Sequence, residues 1–380
     1  MFRVSRFMNE ILRPTPAVPR RDPPGPVVIW NLVRRCNLAC LHCYSISADV
    51  DFPGELSTQE VLSVMHDLKA FGVPALVLSG GEPLLRKDLF EIAARAKATG
   101  FYTALSTNGT LIDVPLAMGI RDTGFDYVGI SLDGLEEMHD KFRRSRGAYR
   151  RSLDALRMLR EMGVKVGVRF TLTRDNAADF EPLLDLVEAE RIPRFYFSHL
   201  NYAGRGNVNR KRDAEFRTAR QAMDTLFARC WEHAKRGLER DYVTGNNDAD
   251  GVYFLHWARR EVRDFDAKHL RRKLAEWGGN SSGVNVANID NLGNVHPDTM
   301  WWDCTLGNVR SRAFSAIWSD TRHPVMAGLK ARPRAIRGRC ATCAYFDICG
   351  GNTRVRAMKV SGDPWAEDPG CYLEDGEIAA

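Results

Sequence analysis

The sequence predicts an α/β protein in which a partial, open-sided (β/α)6 barrel is followed by a helical linker and a small C-terminal domain. Three observations predict this fold: apolar segments alternate with helical patterns, polar residues follow the apolar segments directly, and the composition changes near residue 284. Strands that alternate with helices form parallel sheets. Six such units are too few for the usual eight-stranded closed barrel, which favours a barrel that is open on one side.

The six predicted strands are short, apolar and rich in β-branched or aromatic residues. In chain order they are VVIWNLV (27–33), ALVLSG (75–80), YTALSTNG (102–109), DYVGISLDG (126–134), VKVGVRFTLT (164–173) and RFYFSHL (194–200). Helical patterns such as TQEVLSVMHDLKAFG and YRRSLDALRMLREMG lie between them. Because the carboxyl ends of parallel strands share one edge, the polar segments SGGEP, STNGT and SLDG are expected at one common mouth.

Composition predicts four parts of the chain. Residues 1–26 are a charged and then Pro-rich N-terminal extension, and residues 27–210 form the barrel. Residues 211–283 are basic and have helical patterns, as expected of a linker. Residues 284–380 begin with VNVANIDNLGNVHPDT, which indicates a hairpin around Asn291–Asn294 and the start of a second domain.

The overall charge and hydropathy limit the possible environments and partners. The net charge is +6, and most of the excess falls in residues 201–280, which suits an acidic substrate or simply a solvated helix face. No apolar run approaches the ~18 residues of a membrane span, and the first residues lack a signal-peptide core. We therefore expect a cytoplasmic protein with neither a membrane nor a nucleic acid as a partner.

The nine cysteines are the most informative residues. In a reducing compartment they favour metal binding or catalysis over disulfides. Cys36, Cys40 and Cys43 directly follow the first predicted strand. Three thiols can bind zinc together with a fourth ligand such as His42. Alternatively, they can hold a 4Fe-4S cluster and leave one iron open to a small molecule.

The motif CNLACLHC, followed after the second predicted strand by SGGEPLLR, resembles the radical S-adenosylmethionine (radical-SAM) superfamily. The resemblance implies that S-adenosylmethionine chelates the open iron through its amino and carboxylate groups. A reduced cluster would then cleave the C5′–S bond, giving a 5′-deoxyadenosyl radical that removes hydrogen from an unactivated carbon. Gly80, Gly81, Glu82 and Pro83 match the GGEP segment, which would receive the methionyl ammonium group.

Other positions match the superfamily less specifically. The resemblance implies cofactor contacts at Thr107, Asn108, Ser131, Asp133, Arg169 and His42. Asn-Gly and Asp-Gly also favour simple turns after a strand, and an arginine between apolar strand residues can belong to a structural ion pair. His42 stands where the family usually has an aromatic residue against adenine.

The second cysteine group has the pattern C-x2-C-x5-C followed by a distant cysteine. It comprises Cys340, Cys343, Cys349 and Cys371. A four-cysteine zinc ribbon is one interpretation. Beside a radical-SAM core, however, the pattern resembles the auxiliary-cluster half of a SPASM domain. This implies a second, fully ligated 4Fe-4S cluster with a role in electron transfer. The family's additional cysteines are missing around HPDT, so we expect Cys304 to be structural.

Along essentially its whole length, the chain resembles the NirJ family, the radical-SAM enzymes of heme d1 biosynthesis. The resemblance implies 12,18-didecarboxysiroheme as the substrate, loss of two propionate side chains, and an electron donor such as flavodoxin or ferredoxin. Arg143, Arg144 and Arg146 are then candidates for contacts with substrate carboxylates, although the turn they occupy is widespread in the superfamily. Three alternatives stay open: AhbC-like removal of acetate side chains in the alternative heme pathway, peptide modification by a SPASM-type maturase, and a non-enzymatic metal or electron-carrier protein, which the GGEP motif opposes.

Aromatic residues near the second cysteine group allow two interpretations. His296, Trp301 and Trp302 in VHPDTMWWDC can face a flat macrocycle, but tryptophans in such a segment are more often part of the core.

Overall fold

The computed structural model describes residues 1–16 and 25–379. Within these residues, eleven strands form one mixed sheet. They are β1 (Phe2–Arg3), β2 (Val27–Val33), β3 (Ala75–Gly80), β4 (Tyr102–Thr107), β5 (Tyr127–Ser131), β6 (Val166–Leu172), β7 (Arg194–His199), β8 (Asp241–Gly245), β9 (Val286–Ile289), β10 (Asn294–His296) and β11 (Gly307–Asn308).

Helices connect most of these strands. They are α1 (Val4–Leu12), α2 (Thr58–Ala70), α3 (Leu89–Ala98), α4 (Val114–Thr123), α5 (Glu136–Arg143), α6 (Ala148–Glu161), α7 (Phe180–Ala189), α8 (Gly204–Val208), α9 (Phe216–Lys235), α10 (Asp250–Glu261), α11 (Ala267–Trp277), α12 (Phe314–Ser319), α13 (Pro324–Lys330), α14 (Phe346–Cys349), α15 (Arg354–Ser361) and α16 (Asp375–Ile378). No helix of the described chain is long and apolar enough to cross a membrane.

The sheet confirms the predicted parallel core and its open side. Its strand order is β1-β8-β7-β6-β5-β4-β3-β2-β9-β10-β11. Every neighbouring pair from β2 to β8 is parallel, and β9 also runs parallel to β2. The strands β1, β10 and β11 pair antiparallel with their neighbours, and β1 and β11 are the two edges among the described residues. The parallel strands therefore place their carboxyl ends along one rim.

All six predicted strands are present, and a seventh parallel strand follows them. This strand, β8, lies in residues 211–283, where the sequence predicted a mostly helical segment, and it pairs with β7 on one side and β1 on the other. It is five residues long and lies between the long helices α9 and α10, so its local pattern is weak. Pairing with two neighbours, rather than intrinsic propensity, stabilises it. The predicted hairpin of the C-terminal segment is confirmed by β9 and β10.

The N-terminal segment packs on the barrel instead of extending from it. The ring of Phe2 lies 5.5 Å from Phe254 of α10 and 5.0 Å from Trp277 of α11, measured between ring centroids. The amphipathic pattern of MFRVSRFMNEIL thus corresponds to β1 and the buried face of α1. The Pro-rich part of the predicted extension, residues 17–24, lies outside the described residues.

Candidate functional site

A cavity lies at the carboxyl ends of the parallel strands, where the sequence predicted a mouth. It is lined by Cys36, Leu38, Cys40, His42, Cys43, Tyr44, Ser45, Ser79, Gly80, Gly81, Ser106, Thr107, Asn108, Ser131, Arg143, Arg169, Phe170, Thr171, Tyr196, Ser198, His199, Leu200, Asn201, Asn246 and Met300. The structure thus brings together the first cysteine group and most of the predicted cofactor-binding residues. Glu82, Pro83 and Asp133 are the predicted residues that do not line it.

The cysteine loop after β2 is fixed in place by α8. The Arg205 guanidinium donates to the carbonyl oxygens of Cys40 and Ser47, at 2.7 and 2.8 Å. Asn209 donates to the carbonyl oxygen of Leu41 at 2.9 Å. The sequence analysis did not predict these hydrogen bonds because they join residues more than 150 positions apart. They hold the loop conformation without occupying its thiols.

The three thiols have different surroundings. Burial raises the pKa of Cys36 to about 12. Burial also raises the pKa of Cys40, although the Arg143 guanidinium, whose Nη1 is 3.5 Å from its Sγ, acts in the opposite direction. For Cys43, burial again raises the pKa, but hydrogen bonds with Ser45 and Ser47 outweigh it, so the net shift is downward. Positive charge and hydrogen-bond donors near sulfur favour the thiolate form that metal binding requires.

The cavity combines the three cysteines with buried polar atoms that have no hydrogen-bond partner among the described residues. Across residues 1–16 and 25–379, no three His, Cys, Asp or Glu side chains converge as ligands of one ion do. In a 4Fe-4S cluster each cysteine binds a different iron, so the thiols need not converge on one point. Buried polar atoms of His42, Arg143 and Asn201 have no hydrogen-bond partner among the described residues. All three residues line the cavity, as expected of a site built for a polar ligand.

The glycines of the GGEP segment are required by the chain that precedes the cysteine loop. A Cβ atom on Gly80 would overlap the carbonyl oxygen of Val33, and one on Gly81 would overlap those of Arg34 and Arg35. Two backbone hydrogen bonds join the same segments, from Gly81 N to Val33 O at 2.6 Å and from Glu82 N to Arg35 O at 2.8 Å. The atoms nearest to an added Cβ at both positions are therefore backbone atoms of the protein itself.

We expect Gly81→Ala to destabilise the protein by about 1–3 kcal/mol, because carbonyl oxygens cannot move aside as a flexible side chain can. Thermal melting and the iron content after reconstitution measure the effect. The matched control is Gly376→Ala, where a Cβ would meet no heavy atom within 4 Å. Equal melting temperatures and iron contents for the two variants would contradict this account of the GGEP segment.

The Glu82 carboxylate is fully buried and is directed to its own protein neighbours. It accepts hydrogen bonds from Thr107 Oγ1 at 2.6 Å, from Asn108 N at 2.8 Å and from Leu84 N at 3.2 Å. Burial raises its pKa to about 7, against the effect of these three donors. The carboxylate that the resemblance assigned to the methionyl ammonium group therefore ties β3 to the end of β4 in this structure.

The end of β4 forms a turn and also contacts the cysteine loop. Asn108 Oδ1 accepts from the backbone of Thr110 at 2.8 Å, which is the turn that Asn-Gly predicts. Its Nδ2 donates to Asn37 at 3.0 Å and lies 4.0 Å from Cys36 Sγ. Thr107 and Asn108 thus line the cavity while also holding the strand end to the cysteine loop.

The SLDG segment separates two predicted residues. Ser131 lines the cavity, but Asp133 is fully buried behind it. Asp133 forms an ion pair with Arg143 and accepts from the backbone of Thr171 at 2.8 Å. Its carboxylate positions the guanidinium that approaches Cys40 Sγ. The same ion pair places Arg143 beside the cysteine loop, while Arg144 and Arg146 are exposed.

Arg169 lines the cavity without a carboxylate partner among the described residues. Its guanidinium donates to Ser106 Oγ and lies over the ring of Tyr196, 5.3 Å from the ring centroid. The structural ion pair that served as the alternative interpretation is absent from residues 1–16 and 25–379. An arginine without an anionic partner in a polar cavity is available to bind a ligand carboxylate.

His42 is a stacked, neutral ring. It stacks on Phe142 with a centroid distance of 4.6 Å, and burial lowers its pKa to about 4. One face is therefore already covered by the protein. The residue lines the cavity beside the cysteines, in the region where the resemblance placed adenine.

Comparison with known proteins identifies the family of the chain. A family model described as the radical SAM superfamily matches residues 30–187. A pre-heme d1 synthase of Dinoroseobacter shibae is 52% identical over 378 residues, covering 99% of this chain and 93% of that protein. The chain belongs to the radical SAM superfamily. An Fe-coproporphyrin III synthase of Methanosarcina barkeri is 44% identical over 356 residues, covering 93% of this chain and 89% of that protein.

Solved structures confirm the radical-SAM fold. Streptococcus suis SuiB matches with a TM-score of 0.71 at 16% identity, over 92% of this chain and 78% of that one. The protein anSMEcpe, solved with bound AdoMet, matches with a TM-score of 0.69 at 18% identity, over 93% and 95% of the two chains. At these identities the likeness shows the fold alone. Membership of the superfamily makes this chain a radical-SAM enzyme, and it implies a 4Fe-4S cluster and S-adenosylmethionine.

The second cysteine group of this radical-SAM protein lies in and around α14, with Cys349 as the last residue of that helix and Cys340 in the short 3-10 helix Gly338–Thr342. All nine cysteines are free thiols. Burial raises the pKa of Cys340 and of Cys343, raises that of Cys371 to about 11, and raises that of Cys349 well above its ordinary value. The Arg354 guanidinium, itself fully buried, interacts favourably with the thiolate forms of Cys340 and Cys349. A basic group beside clustered thiols suits a site that must hold them as thiolates.

The segment VHPDTMWWDC lies largely in the core, although Trp302 is only half-buried. Cys304 and Trp301 are buried in the hydrophobic core, and burial raises the pKa of Cys304 to about 11. His296 is also buried, with one ring nitrogen 2.9 Å from the carbonyl oxygen of Cys304 and the other 3.2 Å from Asp290. Trp302 stacks parallel to His296, at a centroid distance of 6.2 Å. None of these residues lines the cavity.

A further polar cluster, which sequence reasoning missed, lies at the end of β7. His199 Nε2 is 2.9 Å from Asp250 Oδ1, and the same oxygen accepts from Tyr372 Oη at 2.6 Å. His199 lines the cavity, and Tyr372 directly follows Cys371. The His199 and Tyr372 rings are stacked, 5.7 Å apart between centroids. This cluster therefore links the cavity to the second cysteine group.

Proposed function

We propose that this radical-SAM enzyme acts on an iron tetrapyrrole and removes two propionate side chains of 12,18-didecarboxysiroheme on the way to the oxo groups of heme d1. The observation that carries the proposal is the 52% identity to a pre-heme d1 synthase over nearly the full length of both chains. The matched stretch covers the barrel, the helical region and the second cysteine group. The Fe-coproporphyrin III synthase, similar over 93% of the chain, is also named for a tetrapyrrole.

In this proposal Cys36, Cys40 and Cys43 bind the catalytic 4Fe-4S cluster and leave one iron for S-adenosylmethionine. When bound, the two cofactors supply the one-electron cleavage that produces the hydrogen-abstracting radical. The chain's own residues bind and orient the cofactor. Arg169 receives its carboxylate, and the backbone at Gly80 and Gly81 receives its ammonium group.

Further cofactor contacts are assigned to Thr107, Asn108, Ser131 and His42, which line the same cavity. Three predicted residues do not line the cavity: Glu82, Pro83 and Asp133. Glu82 holds the end of β4, and Asp133 holds Arg143 beside Cys40. In this arrangement neutral His42 offers an apolar ring face near the cluster loop.

The second cysteine group binds an auxiliary 4Fe-4S cluster through Cys340, Cys343, Cys349 and Cys371. With four thiolates it has no open iron, which favours electron transfer over substrate binding. Oxidative loss of a side chain requires an electron acceptor, and the stacked rings of Tyr372 and His199 lie between Cys371 and the cavity. A reductant such as flavodoxin or ferredoxin supplies electrons to the catalytic cluster.

The product identifies the reaction. Anaerobic incubation of the reconstituted enzyme with dithionite, S-adenosylmethionine and 12,18-didecarboxysiroheme is expected to give a tetrapyrrole that lacks the mass of two propionate side chains. Mass spectrometry of the extracted tetrapyrrole measures this loss. An unchanged tetrapyrrole after full consumption of S-adenosylmethionine would contradict the proposal.

A second candidate is removal of acetate side chains in the alternative heme pathway. It is favoured by the 44% identity to the Fe-coproporphyrin III synthase. The same assay separates the two reactions, because loss of acetate side chains and loss of propionate side chains give different product masses. A product that retains its propionate side chains and lacks acetate side chains would establish the second candidate instead.

A further inference from the structure

His199 contributes its imidazole to the wall of the cavity. It is the last residue of β7, is 6% exposed, and shares the cavity wall with Leu200, Asn201 and Asn246. Its Nε2 is engaged by Asp250, whereas its Nδ1 makes no hydrogen bond within the described chain. The unpaired nitrogen is therefore available to a ligand.

Asp250 determines which ring nitrogen of His199 is left without a partner. The carboxylate is fully buried at the first turn of α10, where the helix dipole favours negative charge. Since a carboxylate only accepts hydrogen bonds, Nε2 of His199 is the donor to Asp250, which leaves Nδ1 as the ring nitrogen that can bind a ligand. Tyr372 donates to the same carboxylate oxygen and holds it in place.

An imidazole that donates from one ring nitrogen to a buried carboxylate is the arrangement by which proteins orient a metal-binding histidine and raise its basicity. Imidazole is also a ligand of iron in tetrapyrroles. The other histidines near this region are less suitable. His42 lies between two cluster-loop cysteines and stacks on Phe142, and both ring nitrogens of His296 are already paired.

We infer that His199 is the axial ligand to the iron of the tetrapyrrole substrate, through Nδ1, and that Asp250 orients it. The inference rests on the proposed function and adds the residue that recognises the metal of the substrate. An axial bond holds the macrocycle by its centre and leaves the side chains on its rim free to react. This explains why a buried carboxylate stands behind a histidine that has no part in binding S-adenosylmethionine.

The test uses the reconstituted holoenzyme with oxidised clusters, which are silent in electron paramagnetic resonance. The probes are iron(III) coproporphyrin and metal-free coproporphyrin. We expect the wild-type protein to give the optical and resonance spectra of histidine-ligated iron. His199→Ala should lose that signature and weaken binding of the iron compound by about tenfold or more, with metal-free binding unchanged. Added imidazole should restore the spectrum.

The matched control is His256→Ala, because His256 lies on α10 with its ring bonded to the carbonyl oxygen of Glu377 and does not line the cavity. Asp250→Asn gives a second readout if His199→Ala folds poorly. Loss of the negative charge behind the ligand should raise the reduction potential of the bound iron.

Three outcomes separate the claims. Loss of the spectrum of histidine-ligated iron in His199→Ala but not in His256→Ala supports the inference. A raised reduction potential of the bound iron in Asp250→Asn supports it as well. Histidine ligation that persists in His199→Ala, or an unchanged potential in Asp250→Asn, overturns the inference and leaves the proposed function standing. Failure of the wild-type protein to bind either porphyrin counts against the proposed function itself.

Discussion

Replacing Cys40 with Ala is expected to abolish formation of 5′-deoxyadenosine, with a loss of about a hundredfold or more. The reason is chemical: without a third thiolate, the catalytic cluster is not held and S-adenosylmethionine has no open iron to bind. Iron should fall from about eight to about four per chain, since the second cysteine group is untouched. The measurements are 5′-deoxyadenosine by mass spectrometry and iron by colorimetric assay.

Cys230→Ala is the matched control for Cys40→Ala. Cys230 is also a buried thiol, but it lies in the hydrophobic core and does not line the cavity. We expect this variant to keep about eight irons and full cleavage, with a small loss of stability from the missing sulfur. Cleavage of S-adenosylmethionine at the wild-type rate in Cys40→Ala would contradict the assignment of the first cysteine group to the catalytic cluster.

Replacing Cys340 with Ala is expected to separate cleavage of S-adenosylmethionine from formation of the modified tetrapyrrole. Cleavage of S-adenosylmethionine should persist within about threefold of wild type, because the cavity and its three cysteines are intact. Formation of the modified tetrapyrrole should fall by about tenfold or more, since the oxidised product needs an electron acceptor. The ratio of tetrapyrrole product to 5′-deoxyadenosine, both quantified from one reaction, is the measure.

Cys304→Ala is the control for Cys340→Ala, because Cys304 lies near the C-terminal segment but is a core residue. Its ratio of product to 5′-deoxyadenosine should match that of the wild type. An unchanged ratio in Cys340→Ala as well would mean that the second cysteine group has no part in turnover.

The sequence was sufficient for those features that depend on local pattern. The six strands were predicted from apolar segments, and the cavity from the polar residues that follow them. The first cysteine group, Gly80 and Gly81 were found because they lie close together along the chain or follow strands directly. These features share a property: a few neighbouring residues determine them.

Features that depend on distant contacts could not be predicted. His199 and Asp250 are 51 positions apart, and nothing in either neighbourhood marks them as a pair. Arg143 and Cys40 are 103 positions apart, and their contact was not predicted. Arg143 was considered for substrate carboxylates, but it lies beside a thiol of the cysteine loop. Strand β8 was missed because its stability comes from two neighbouring strands rather than from its own five residues.

Burial explains the remaining differences from the sequence analysis. Glu82 and Asp133 were assigned to the cofactor because they follow strands in the expected motifs, yet both are fully buried. A buried carboxylate must be satisfied by hydrogen bonds or an ion pair. Backbone donors and Thr107 satisfy Glu82, and Arg143 pairs with Asp133. Motif position predicts that such a residue is near the site but not which way its side chain is directed.

The central claim is that one cavity serves both radical formation and a tetrapyrrole substrate. The most direct test is the amount of 5′-deoxyadenosine formed by the anaerobic, reconstituted enzyme with and without 12,18-didecarboxysiroheme, with a peptide as a parallel addition. The account predicts that the tetrapyrrole stimulates cleavage and the peptide does not. Cleavage that is indifferent to the tetrapyrrole but stimulated by the peptide would contradict it.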